Sequence, residues 1–133
     1  MSKKRIHFCM AGLEKRSFSL PFNGGMIWCE HLDSLGDDEE SFRAKLSTDC
    51  NELSKPSAPS HLAFVLDETA VNDSCCEMMV DALVRQAHPK KAAFVGTSPA
   101  EKRQINACLR KTDVRFAVSF YDDLEEAKHW LIP

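Results

Sequence analysis

The sequence predicts an α/β domain, a mixed sheet of five or six strands with four main helices. Three observations carry this. Apolar residues alternate with period two near the start of the chain. From about residue 60 onward, short uninterrupted apolar runs take turns with segments of three- and four-residue periodicity. Four periodic segments each open on a capping signature. With 133 residues the chain is long enough for one core, and no linker or repeat divides it, so residues 1–133 read as a single domain.

The first strand is expected over Lys4–Met10, where Ile6, Phe8 and Met10 share one face and Arg5, His7 and Cys9 the other. A hairpin follows. Phe18 and Leu20 lie on one face of its first arm, Asn23-Gly24 supplies the turn because both residues tolerate positive φ, and Met26-Ile27-Trp28 begins the second arm. The period then changes: Phe42, Leu46, Asp49 or Cys50, and Leu53 recur as on a helix, which Pro56 ends. Three strand–helix units complete the chain. Leu62–Leu66 precedes a helix bearing Cys76, Met79, Val80 and Leu83; Ala92–Val95 precedes one bearing Ile105, Cys108 and Leu109; Val114–Phe120 precedes one bearing Leu124, Ala127, Trp130 and Leu131. Continuous apolar strands between amphipathic helices imply a sheet that is parallel in its second half. Helix starts are expected near Asp37, Ser74, Ser98 and Asp122, each followed three residues later by a glutamate able to complete a capping box. Pro99 after Ser98 fits a first helical position.

Composition excludes several functions. Seventeen basic against 20 acidic residues give a net charge of -3, which leaves no whole-molecule field for nucleic acid. No apolar stretch is long enough for a membrane span, and the opening Met-Ser-Lys-Lys-Arg has no signal-peptide core, so no membrane insertion and a cytoplasmic setting are expected. The six cysteines (Cys9, Cys29, Cys50, Cys75, Cys76 and Cys108) are dispersed and lack a Cys-x-x-Cys. They read as free thiols, with no metal site.

Chemistry is sparsely signalled. Gly24-Gly25 and Gly96 form neither a dinucleotide fingerprint nor a P-loop, so no cofactor is expected. Cys75 and Cys76, near a helix N-terminus, are the candidates for a thiol nucleophile, although no arginine follows at the spacing a cysteine phosphatase needs. The acidic runs Asp37–Glu40 and Asp122-Asp123 complement helix dipoles. Between Arg85 and Arg115, eight basic residues stand against two acidic ones. Solvated helix faces explain that excess; an anion-binding patch is the alternative reading, with Lys102 and Arg103 as its candidates.

In Val65-Leu66-Asp67-Glu68-Thr69-Ala70-Val71-Asn72-Asp73-Ser74 a strand leads through a short loop to an Asp-Ser pair at a helix start. The run Phe94-Val95-Gly96-Thr97-Ser98-Pro99 has the form of a strand and Ser-Pro turn, and the chain closes on Glu126-Ala127 and Trp130-Leu131. Over residues 62–131 this resembles a STAS domain, the SpoIIAA-like fold of bacterial anti-sigma-factor antagonists. The resemblance implies a single-domain STAS-like fold and places Ser74 on the family's phosphorylation switch, with Asp73, Cys75 and Glu77 around it. Where family members carry a small residue, glycine and leucine after the serine, this chain has Cys75, Cys76 and Glu77. The expected function is a non-catalytic regulatory module that binds a protein partner, an anti-sigma factor or kinase-like protein, and is switched by a phosphate on Ser74. The alternatives are a STAS-like domain that binds a small or lipid-like ligand without phosphorylation, and a thiol enzyme using Cys75 or Cys76. Oligomeric state is not legible.

Overall fold

The computed structural model describes residues 16–133; the strand expected over Lys4–Met10, with His7 and Cys9, lies outside them. The described chain forms a five-stranded sheet in the sequential order β1-β2-β3-β4-β5: β1 (Phe18–Phe22), β2 (Gly25–His31), β3 (His61–Val65), β4 (Lys91–Val95) and β5 (Ala117–Tyr121). Strands β1 and β2 are antiparallel, and β2 to β5 run parallel. The Asn23-Gly24 hairpin forms as the sequence predicts, both residues adopting positive φ (48° and 81°). Helices α1 (Glu39–Leu53), α2 (Asp73–Asp81), α3 (Pro99–Arg110) and α4 (Leu124–Leu131) alternate with the parallel strands. The class is α/β with four main helices. No helix of the described residues is long and apolar enough to cross a membrane.

The order of the strands decides the layers. Right-handed crossovers between strands laid down in sequence put every connecting helix on one side. The larger core accordingly joins Trp28, Leu62, Phe64, Leu66, Ala92 and Phe94 of the sheet to buried residues of α1, α2 and α3. Its backbone is a stack of Phe64, Phe94 and Phe120 across three strands, with ring centroids 5.2 and 5.4 Å apart. Helix α4 covers the opposite face, where Ile27, Cys29, Ala63, Ala93 and Val95 meet Ala127 and Leu131. The alanines there leave room for a short helix to approach the sheet.

Three helix starts differ from the sequence reading. Asp38, not Asp37, caps α1, accepting from the Ser41 N–H at 3.1 Å and from the Ser41 hydroxyl at 2.6 Å. Asn72, not Ser74, caps α2. Asp123, not Asp122, caps α4 and accepts from the Glu125 N–H at 3.0 Å. Each of these caps has a second capping residue next to it or two positions on, and a periodic pattern does not choose between them. The fourth start is as expected: Ser98 and Glu101 form a complete capping box with Pro99 at the first helical position. Two further departures occur. The expected second helix is α-helical only to Asp81 and continues as a π-helical turn over Ala82–Ala87, closed by His88 with φ 46°. The last strand begins at Ala117 rather than Val114, and Val114 and Phe116 pack against the core ahead of it.

Gly96 is where conformational freedom matters. Its φ is +81°, and a Cβ there would lie 2.4 Å from Oδ1 of Asp67 and 2.5 Å from Cγ. The bare glycine is what lets the loop after β3 lie against the loop after β4. Gly96→Ala is expected to destabilise the protein by roughly 2 kcal/mol or more, from the left-handed backbone and the displaced carboxylate together. The midpoint of urea unfolding measures it; an unchanged midpoint would show that Asp67 moves aside freely.

Candidate functional site

The carboxyl ends of the parallel strands and the N-termini of α1, α2 and α3 converge at one end of the molecule, and the loops there are tied to one another. Parallel pairing continues past β2 and β3, through Leu32 N–H to Val65 O (3.0 Å), Ser34 N–H to Asp67 O (2.8 Å) and Gly36 N–H to Glu68 O (3.0 Å). The buried Thr69 hydroxyl donates to Leu32 O and accepts from the Leu35 N–H. Glu101, also buried, bonds through Oε1 to the Ser98 N–H and through Oε2 to the Val71 N–H at 2.8 Å. One carboxylate therefore serves both the cap of α3 and the approach to α2.

That approach sets the position of Ser74. Asn72 Oδ1 accepts from the Cys75 N–H at 2.9 Å, and its Nδ2 donates to Glu39 of α1. This bond, ahead of a weaker contribution from Arg43, holds the Glu39 carboxyl below its ordinary range. The exposed Asp73 accepts from Gln104 of α3 at 3.2 Å. The first turn of α2 is thus fixed to both neighbouring helices. Ser74, half-buried, occupies its second position, and Glu77 is exposed one turn on. The structure brings Asp73, Ser74 and Glu77 together on one accessible surface. Cys75, the remaining candidate beside them, is buried.

The thiols have the opposite character to nucleophiles. Burial raises the pKa of Cys75, and burial together with neighbouring thiols and acids takes Cys76 to about 12. Cys29 and Cys50 are pushed up to about 11, also mainly by burial, and Cys108 is raised for the same reason. The five described cysteines form no disulfide. No group of three or more His, Cys, Asp or Glu side chains among the described residues is placed to hold a metal ion. Lys102 and Arg103 lie near the N-terminal end of α3, about 12 and 10 Å along the axis from Arg110 at 1.5 Å per residue, so the structure does not gather them with Arg110 at the other end of the helix.

Glu30 is the residue that the sequence reading missed. It is fully buried, and in register it stands beside Phe64, at the fourth place of the aromatic stack. Oε1 accepts from Trp28 Nε1 at 2.8 Å; Oε2 has no hydrogen bond of good geometry, and its polar neighbour is Asp49 on α1. Lys45, which bonds Ser17 at 3.0 Å and Asp49 at 3.4 Å, supplies the nearby positive charge. Burial, then the Asp49 carboxylate, pushes the Glu30 carboxyl up to about 9. The Trp28-x-Glu30-x-Leu32 alternation, which places an acid on the apolar face, is the signal that could have found it. No protein family, curated protein or solved structure matches the chain.

Asn72→Ala should cost about 1 kcal/mol, the loss of a cap, while Ser74→Ala should stay within about 0.5 kcal/mol; denaturant midpoints compare the two, and the reverse order would restore Ser74 as the cap. For Glu30, the folded pKa of about 9 exceeds the ordinary 4.5, so the folded state holds the extra proton between those values. Its stabilisation is complete below pH 4.5 and is lost as pH rises toward 9. Glu30→Gln keeps the shape without the titration, so its stability should fall less than that of the wild type between pH 6 and 9. Parallel pH profiles for the two proteins would mean that Glu30 is already ionised at pH 6.

Proposed function

We propose that the chain is a non-catalytic regulatory module, cytoplasmic and STAS-like, that binds a protein partner through the first turn of α2 and is switched by a phosphate on Ser74. One observation carries the reading: Asn72 supplies the cap of α2, and Ser74 stands two residues on, half-exposed on the first turn. A phosphate there sacrifices no cap. It meets the positive end of the helix dipole while adding close to two negative charges to the surface. The links from Asn72 to Glu39 and from Asp73 to Gln104 make that surface rigid, so the charge alters what can dock more than it alters the fold. The buried, high-pKa thiols of Cys75 and Cys76 favour this reading over thiol chemistry. An anti-sigma factor or kinase-like protein is the partner class the STAS resemblance suggests.

The test compares wild type, Ser74→Ala and Ser74→Asp as baits in extracts of the source cell, with mass spectrometry of Ser74 in the protein isolated from that cell. A partner retained by wild type and Ser74→Ala but weakened at least tenfold by Ser74→Asp, together with phosphate on Ser74, is the expected result. Equal retention by all three baits and no phosphate would defeat the proposal.

A further inference from the structure

The basic residues between Arg85 and Arg115 that the α2 surface leaves unused are partly collected at the other end of the molecule. Lys90 stands just before β4 and Arg115 just before β5; the Ala117 N–H bonds Lys90 O at 3.1 Å, which draws the two lead-ins together. The Lys91 ammonium is turned to the other face of the sheet, where it bonds Trp130 O at 2.8 Å. Asp113 is the acid at this place, and its 3.5 Å contact with Arg115 joins two exposed side chains, a weak pair.

Beside Arg115 the surface is hollow rather than flat. A cavity of about 320 Å³ is lined by the apolar Leu83, Val84, Pro89 and Phe116 together with His88, Arg115 and Asp113. Its volume lies at the small end of the range of roughly 300–1,000 Å³ typical of ligand pockets. Its inner wall is the π-helical turn Ala82–Ala87, and His88 closes that turn in the left-handed region. π-turns are rare and concentrate where a helix serves a site; here the widened turn supplies Leu83 and Val84 to the cavity wall.

We propose that this cavity binds a small amphiphilic anion, an apolar chain or ring inside and a carboxylate or phosphate head at Arg115 and His88. A bare anion would leave the apolar wall unfilled, and an uncharged apolar molecule would leave Arg115 with only its weak contact to Asp113. The site lies about 14 Å along the helix from Ser74, counted to Leu83 and Val84 at 1.5 Å per residue. It is tested on the unmodified chain alone, so its fate is separate from that of the Ser74 reading.

The probe is octanoate below its micellar concentration, followed by amide shifts in 15N–1H spectra. Shifts confined to residues 82–90 and 113–117 are expected. Each buried methylene is worth roughly a factor of four, so butyrate should bind on the order of a hundredfold more weakly, and octanol should bind at least tenfold more weakly for want of the head. Arg115→Glu, at an exposed position, should weaken octanoate at least tenfold with the rest of the spectrum unchanged. Val84→Trp should abolish binding by filling the cavity, and Arg115→Glu decides the matter if that variant does not fold. Vesicles of phosphatidylglycerol and of phosphatidylcholine identify the source: co-sedimentation with the former alone marks a lipid head as the natural anion, whereas octanoate binding without co-sedimentation marks a free ligand. Octanol binding as tightly as octanoate, shifts elsewhere in the chain, no octanoate binding at all, or an Arg115→Glu protein that binds like wild type would each overturn the proposal.

Discussion

The sequential order of four parallel strands is the constraint on which the rest of this structure depends. It places α1, α2 and α3 on one face, all pointing the same way, so their positive ends meet at the carboxyl ends of the strands and their negative ends meet at the opposite edge. The charges follow the dipoles. Acids open the helices, with Glu39 and Glu40 in the first turn of α1, Asp73 in α2 and Glu101 in α3, and Arg110 closes α3. Two ends of unlike character result from one topological choice: an acidic end where the loops are bound together, and a basic end where a cavity opens beside the π-turn.

Within that frame the core tolerates one expensive substitution. Phe64, Phe94 and Phe120 continue the same row across the sheet, and an apolar residue at position 30 would extend it. Glu30 occupies that place instead. A buried ionised carboxylate without a partner is strongly unfavourable, and the group responds by keeping its proton. Trp28 donates to one oxygen and Asp49 can accept from the other when it carries that proton. The attachment of α1 to the sheet therefore includes a polar pair whose strength depends on pH, in a layer otherwise held by apolar contact.

Much of this architecture was legible in the sequence because it rests on periodicity. The hairpin at Asn23-Gly24, the four helices and the parallel second half follow from apolar spacing and turn chemistry, and Ser98, Pro99 and Glu101 mark the start of α3 without ambiguity. The α2 start was misread because Asn72, Asp73 and Ser74 are all competent caps; the choice belongs to tertiary contacts, since Asn72 is the one that also reaches Glu39. The π-turn was invisible for a related reason. Met79, Val80 and Leu83 are spaced as in an α-helix, and the π-helical turn Ala82–Ala87 still sends Ala82 and Leu83 into the core. Of the candidate site, Asp73, Ser74 and Glu77 share a surface as a helix start requires, whereas Lys102 and Arg103 are separated from Arg110 by most of the length of α3. Sequence proximity could not show that.

The cap assignment changes how Ser74 should be weighed. As the cap, its hydroxyl would be occupied by a backbone N–H, and any modification would have to unmake the helix start first. With Asn72 in that role, the helix start is held by a side chain that also bonds α1, while Glu101 secures the preceding loop through the Val71 N–H. The hydroxyl two residues after the cap is then a position on this turn where charge can change without loss of the cap. The price of that freedom appears in the acids around it. Asp73 and Glu77 are on the same surface, so an added phosphate is favoured by the helix dipole and opposed by its neighbours. If Ser74 carries the proposed phosphate, these opposed terms would leave stability little changed while the local field changes by close to two charges, which is the physical requirement for a switch that acts on a partner rather than on its own fold.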